Sequence, residues 1–179
     1  GSIDWKDLTT TTERIYQMRD TDGDGVADKM TVFAEGFNTP VTGIAAGVMY
    51  HDGWVYATIA PDLWRFKDTD DDGVADIREV VAHGFGIHLA YAGHDMHGLS
   101  VGPDGRIYVA DGYGASVIHE YSADRKWKRV IGSKGEGEGQ FKTCHGLALD
   151  TRYEKPLLLV CDRENKRLVD RKSTRLNSS

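Results

Sequence analysis

The sequence predicts an all-β chain, and more narrowly part of a six-bladed β-propeller, about three to four blades of it. Three observations carry this. An acidic loop occurs twice, Asp20-Thr-Asp-Gly-Asp-Gly-Val-Ala-Asp28 and Asp68-Thr-Asp-Asp-Asp-Gly-Val-Ala-Asp76, 48 residues apart (68 − 20). The segments between turns are short, β-branched or aromatic, and punctuated by Gly and Asp. No stretch of about 11 residues shows a helical period. A repeat of about 40–50 residues made of four short strands is the signature of a propeller blade.

Taken in order, the first acidic loop is expected to join two outer strands. Gly43-Ile-Ala-Ala46 then reads as a small-residue inner strand, the turn Asp52-Gly53 leads to Trp54–Ile59, and Leu63-Trp-Arg-Phe66 enters the second acidic loop. Ile77–Val81 leaves it. The next repeat opens with Gly98-Leu-Ser-Val101, turns at Pro103-Asp-Gly105 and continues as Arg106–Ala110. The third opens with Gly146-Leu-Ala-Leu149 and returns as Leu157–Val160. One propeller fragment is therefore expected over residues 1–170, with loop-bearing blades over 12–97 and a second type over 98–170. The tail 171–179, Arg-Lys-Ser-Thr-Arg-Leu-Asn-Ser-Ser, departs from the pattern and reads as a cloning or assembly scar.

In each acidic loop aspartates stand at positions 1, 3, 5 and 9 with Gly at 6, the oxygen cage a hard cation such as Ca²⁺ requires. Carboxylates this dense repel one another unless a cation lies among them. The expected ligands are Asp20, Asp22, Asp24, Asp28 and the Val26 carbonyl in one loop, and Asp68, Asp70, Asp72, Asp76 and the Val74 carbonyl in the other. Glu79 stands at position 12 of the second loop, where Thr31 stands in the first, so the second is expected to bind more tightly. The expected role is a structural ion stapling a hairpin, since no helices flank the loops.

His97 and His145 are 48 apart (145 − 97), and each immediately precedes an inner-strand Gly. Both are expected at the channel mouth, with Thr42 in the corresponding slot of the earlier blade. Two imidazoles with a third ligand suit a Zn²⁺ that keeps an open position; the alternative is polar channel lining. His51, His83, His88 and His119 read as turn or surface residues. Cys144 and Cys161 flank a hairpin turned near Asp150–Pro156, which allows either a cross-strand disulfide or two small buried thiols. The glycine-rich run 132–139 has no Lys-Ser/Thr and no helix behind it, so it is not a phosphate loop.

Charged residues at 28% and hydrophobic ones at 40% are ordinary for a globular chain. The net charge of −6 comes partly from the two loops, so it says little about partners. No basic stripe points to nucleic acid, no apolar run approaches the roughly 20 residues of a membrane helix, and no signal peptide is visible.

Arg19 through Asp28, its repeat, Leu63-Trp-Arg-Phe66, Gly93-His-Asp-Met-His-Gly-Leu99 and Gly102-Pro-Asp-Gly-Arg-Ile-Tyr108 resemble the propeller of the membrane-bound dehydrogenases of planctomycetes, relatives of the soluble quinoprotein glucose and sorbosone dehydrogenases. That resemblance implies oxidation of a sugar or alcohol with pyrroloquinoline quinone and a cytochrome as electron acceptor. His94, five residues before Leu99, would be the base that takes the hydroxyl proton while hydride passes to the quinone. An imidazole with an ordinary pKa of about 6.5 is matched to that task. The family's quinone contacts lie largely in blades outside this stretch, and its haem motif Cys-x-x-Cys-His does not occur here. The resemblance and the calcium loops imply an extracytoplasmic setting, periplasmic or secreted.

From about residue 98, Tyr108-Val-Ala-Asp-Gly-Tyr-Gly114, Gly135-Glu-Gly-Glu-Gly-Gln-Phe141, His145-Gly-Leu-Ala-Leu-Asp150 and Cys161-Asp-Arg-Glu-Asn-Lys-Arg167 resemble NHL repeats, most of all those of the peptidyl-hydroxyglycine amidating lyases. This implies a rival function, a Zn²⁺-dependent lyase using His97, His145 and Tyr113, with Arg163 in the Asp-Arg-Glu-Asn motif. A third reading is a non-catalytic module that offers its channel face to a glycan or protein. The change of resemblance near residue 103 is read either as divergence within one gene or as a junction of two.

Overall fold

A computed structural model describes residues 13–39, 41–42, 44–85 and 96–172. All described secondary structure is β, in several mostly antiparallel sheets. β1 (Glu13–Arg19) and β2 (Lys29–Phe37) form a hairpin around the first acidic loop. A four-stranded sheet follows in the order β3 (Ala45–His51), β4 (Trp54–Ile59), β5 (Asp62–Lys67), β6 (Ile77–His83), and the second acidic loop joins its last two strands. The next sheet has the same order: β7 (Met96–Val101), β8 (Ile107–Asp111), β9 (Val117–Tyr121), β10 (Trp127–Ile131). A parallel two-residue pair, β11 (Ser133–Lys134) and β12 (Gln140–Phe141), closes the glycine-rich run on itself. β13 (Cys144–Asp150), β14 (Leu157–Asp162) and β15 (Arg167–Lys172) make the last sheet.

Three apolar cores lie between these layers in chain order. Phe33, Phe37, Ala57, Ile59 and Phe66 join the β1–β2 hairpin to the first large sheet. Tyr56, Leu63, Met96, Ile107 and Val109 join that sheet to the next. Tyr108, Ile118, Phe141, Leu158 and Val160 join it to the last. Tyr56 and Tyr108 bury toward the following sheet while Ala57 and Val109 bury toward the preceding one, so second strands are apolar on both faces. Truncating a fully buried ring such as Phe66 costs about 3–5 kcal/mol.

The first strands pack backbone against backbone. A Cβ on Gly98 would lie 2.5 Å from the His145 carbonyl oxygen and 2.6 Å from the Leu147 nitrogen, and one on Gly47 would overlap the His97 carbonyl oxygen. Only glycine permits that approach. Register then fixes equivalence between sheets. Ala45 pairs with Ile59, Met96 with Asp111 and Cys144 with Asp162, so His97 and His145 share one slot. In the first sheet that slot holds Ala46, not Thr42, because the first two sheets are offset by 51 residues (96 − 45) and not by 48.

Two further expectations change. Cys144 is paired with Asp162, one residue past Cys161, so the two thiols point to opposite faces. Cys144 is buried, Cys161 is exposed, and both are free thiols. β15 continues to Lys172, so Arg171 and Lys172 pair with β14 in the last sheet. β9 and β10, which the sequence reading did not delineate, supply the outer half of the second large sheet. Among the described residues no helix is long and apolar enough to cross a membrane.

Candidate functional site

Each acidic loop is organised by its own side chains. In the first, Asp20 accepts from the backbone N–H of Gly23 (2.6 Å) and Gly25 (2.7 Å), Asp22 from Asp24 (3.2 Å) and Asp24 from Val26 (2.7 Å). Asp28 accepts from the Thr21 amide (3.0 Å) and hydroxyl (2.6 Å). The second repeats the set: Asp68 from Asp71 (2.7 Å) and Gly73 (2.9 Å), Asp70 from Asp72 (3.3 Å), Asp72 from Val74 (2.7 Å), and Asp76 from the Thr69 amide and hydroxyl (both 2.6 Å). Position 6 is left-handed in both, at φ 89° for Gly25 and 96° for Gly73. Carboxylate oxygens of Asp20, Asp22 and Asp24 lie within 4.8 Å of one another, as do those of Asp68, Asp70 and Asp76.

These bonds hold the charged form of several carboxyls. Hydrogen bonds from Gly25 and Gly23 hold Asp20 below the usual carboxylate range, and those from Thr21 and Thr69 do the same for Asp28 and Asp76. A convergent, ionised oxygen cluster is chemically suited to Ca²⁺.

The loops differ in their surroundings. The first projects from the hairpin tip and is exposed throughout. The second lies against that hairpin. Arg19 reaches Asp71 at 2.5 Å, the Thr31 hydroxyl donates to the Gly73 carbonyl at 3.0 Å, and the Ala75 amide donates to the Phe33 carbonyl at 2.9 Å. Thr31, position 12 of the first loop, thus serves the second loop's backbone. Glu79, position 12 of the second, is taken by Arg65, whose Nε donates to it at 2.6 Å. Arg65 faces it across the β5–β6 ladder, so Glu79 is engaged within that strand pair.

A second cluster lies at the starts of β7 and β13. The His97 and His145 rings face each other with centroids 3.6 Å apart and a tilt of 31°. The Tyr113 ring is 5.7 Å from His97 and 5.6 Å from His145, and Arg163 donates to the Tyr113 hydroxyl. His97, His145 and Tyr113, the residues of the rival lyase reading, lie together here with Arg163. The close approach at Gly98 brings the two histidine-bearing strands together. Two imidazoles on one tetrahedral Zn²⁺ have centroids about 5 Å apart, so a shared metal would require these rings to swing apart.

Two buried carboxylates that the sequence reading passed over build the turns beneath this cluster. Asp111 and Asp162 hold the same register slot at the ends of β8 and β14. Asp111 accepts from the Ala115 amide (3.2 Å), closing the turn that carries Tyr113. Asp162, fully buried, accepts from the Lys142 amide (2.7 Å), Asn165 (2.8 Å) and Arg167 (2.8 Å), fixing the turn that opens with Arg163. The signal was available as an Asp ending each of two apolar strands just before a site residue. His119 also departs from expectation: it lies on β9 with its ring edge-on to Phe85 and its Nε2 3.7 Å from Asp111. His83 pairs with Asp62 at 2.6 Å. His94 and His88 lie outside the described residues.

The architecture is similar to a crystal structure of an auxiliary nutrient binding protein from Bacteroides thetaiotaomicron, with a TM-score of 0.53 and 13% identity over 78% of this chain and 39% of that one. The likeness is one of fold, and this chain spans well under half of that protein's length. No curated protein matches the sequence. A family model described as a domain of unknown function, DUF7133, matches residues 4–158. With most of its length inside that match, the chain belongs to the DUF7133 family.

Proposed function

We propose that this chain is a calcium-binding segment of an extracytoplasmic β-propeller, with Ca²⁺ held in the loops 20–28 and 68–76 as a structural staple. The observation that carries this reading is the duplicated cage, two loops with one hydrogen-bond pattern and three convergent carboxylates each. Support for the propeller comes from strand order repeated sheet after sheet, with first strands in contact and equivalent registers. The Asp and backbone-carbonyl donor set suits a setting rich in Ca²⁺. Calorimetric titration of Ca²⁺ into chelator-treated protein tests the staple: two binding events and a raised melting temperature are expected, and a chain that takes up no Ca²⁺ ends the proposal.

On the sequence resemblance, the whole protein is a quinoprotein-like dehydrogenase of sugars or alcohols, with His94 as base. Pyrroloquinoline quinone would supply the hydride acceptor there. Quinone-dependent dye reduction lost in His94→Ala tests this, and its absence in the intact protein would discard it. The cluster of His97, Tyr113, His145 and Arg163 favours a second reading, a lyase-type or purely binding site at the mouth. A binding role also accords with what the Bacteroides protein is said to be. Stoichiometric Zn²⁺ retained after dialysis would select the lyase; Ca²⁺ alone leaves the binder or the dehydrogenase.

A further inference from the structure

We propose that the starts of β7 and β13 form a binding site for an oxyanion, a carboxylate or phosphate group of a small ligand, with Arg163 as its counter-charge. Arg14, Arg65, Arg106, Arg129 and Arg167 each lie on a carboxylate, and Arg78 of β6 donates to the Glu35 carbonyl oxygen and lies over the Phe37 ring. The Arg163 side chain bonds to the Tyr113 hydroxyl and lies 5.7 Å from that ring, and no carboxylate among the described residues pairs with it. A guanidinium carries five N–H donors in a planar fork, and one suffices for Tyr113.

Tyr113 accepts that bond through its oxygen, which holds the guanidinium beside the ring and leaves the rest of its N–H fork for a ligand. The two imidazole rings border the patch, 5.7 and 5.6 Å from the Tyr113 ring. Oxyanions are held best by charge-assisted, forked bonds of this kind.

The turns are also rigid. Ser116 donates to the Gly112 carbonyl at 2.9 Å and accepts from the Thr143 amide at 3.3 Å, tying the Tyr113 turn to the strand that leads into His145. The Arg163 amide donates to the Thr143 carbonyl at 3.3 Å. Thr143 therefore links both turns, and the four side chains are placed before any ligand arrives. Tyr113 is 38% exposed, so the patch is open to solvent. The inference does not rest on the calcium reading, because none of its residues belongs to either loop.

The test follows the imidazole NMR signals of the full chain during titration with sodium acetate, then inorganic phosphate, at constant ionic strength in chloride. Saturable shifts are expected at His97 and His145 and not at His51 or His83. Arg163→Gln should weaken binding about tenfold, as expected for one charge-assisted bond. Arg163→Lys, which keeps the charge and loses the fork, should fall between. A preference for acetate identifies a carboxylate ligand, and one for phosphate a phosphorylated ligand. Linear shifts without saturation, or equal affinity in Arg163→Gln, would overturn the site. The variant's amide NMR spectrum, compared with that of the parent chain, reports separately that it is folded.

Discussion

The two aspartate loops carry nearly the same nine residues and the same internal hydrogen bonds, yet one hangs free and the other is clamped. The exposed loop 20–28 is held by its own side chains, at the tip of β1–β2. The loop 68–76 adds Arg19, the Thr31 hydroxyl and the Phe33 carbonyl, all from that same hairpin. Cage geometry is thus a property of the local sequence, and preorganisation is a property of the tertiary neighbours. Preorganisation lowers the ordering cost of binding, so the second loop is expected to be the tighter site, through its clamp and not through Glu79.

Removing Ca²⁺ is the strongest way to separate the loops. With free Ca²⁺ a hundredfold above its dissociation constant, each site contributes about 2.7 kcal/mol. In chelator that is lost at both, but the Ala75 amide, bonded to Phe33, should stay protected from hydrogen exchange while the Gly25 amide does not. Equal protection of both would mean that the clamp adds nothing. Asp68→Ala comes next. It frees two backbone donors, at about 1 kcal/mol each, and removes a carboxylate that is only 10% exposed. Asp20→Ala deletes the same bonds from a solvated loop and should lower the melting temperature less. A larger loss from Asp20→Ala would reverse the comparison.

That contrast marks what could be read from residues alone. The cage was legible because its bonds join residues two to seven apart, a scale on which spacing is geometry. The repeat of strands and the shared slot of His97 and His145 were legible for the same reason. What escaped depends on contacts between distant elements. The Arg65–Glu79 pair is set by the β5–β6 ladder, and the clamp on Gly73 by a hairpin some 40 residues away. Ala46 displaced Thr42 because the interval from Ala45 to Met96 is three residues longer than the loop repeat. Cys144 and Cys161 missed each other by one position, enough to send them to opposite faces of a strand.

Arg19→Gln removes the clamp's charge, which bonds to Asp71 and lies 3.9 Å from the Asp68 carboxylate, and leaves every cage carboxylate in place. Asp71, left-handed at φ 63°, loses the guanidinium that holds its carboxyl below the usual range. The expected loss of stability is smaller than for Asp68→Ala, and it should shrink further in saturating Ca²⁺, because the ion then orders the loop. Acid acts on both loops with one sign. Asp20, Asp28, Asp71 and Asp76 have lowered carboxyl pKa values, so their contribution is present above the ordinary carboxylate pKa near 4 and fades as pH falls through the depressed values. Acid titration without Ca²⁺ should therefore show loop melting below about pH 4; melting near neutrality would place its cause outside these carboxyls.

Glu79→Gln is expected to do least, and for that reason it discriminates most sharply between position 12 as a ligand and position 12 as part of a strand. If Glu79 closed the cage as the bidentate ligand of an EF-hand does, losing its charge would weaken the second site by orders of magnitude and make it resemble the first. The side chain is instead about half exposed and bonded to Arg65, whose guanidinium also lies 3.9 Å over the Trp54 ring. An exposed pair of this kind contributes about 0.5 kcal/mol, and the stacking on Trp54 survives the substitution. Calcium affinity at the second loop should be unchanged, with only a slight fall in melting temperature. A selective loss of the tighter binding event would return Glu79 to the cage and make ligand count, not the clamp of Arg19 and Thr31, the source of the difference between the loops.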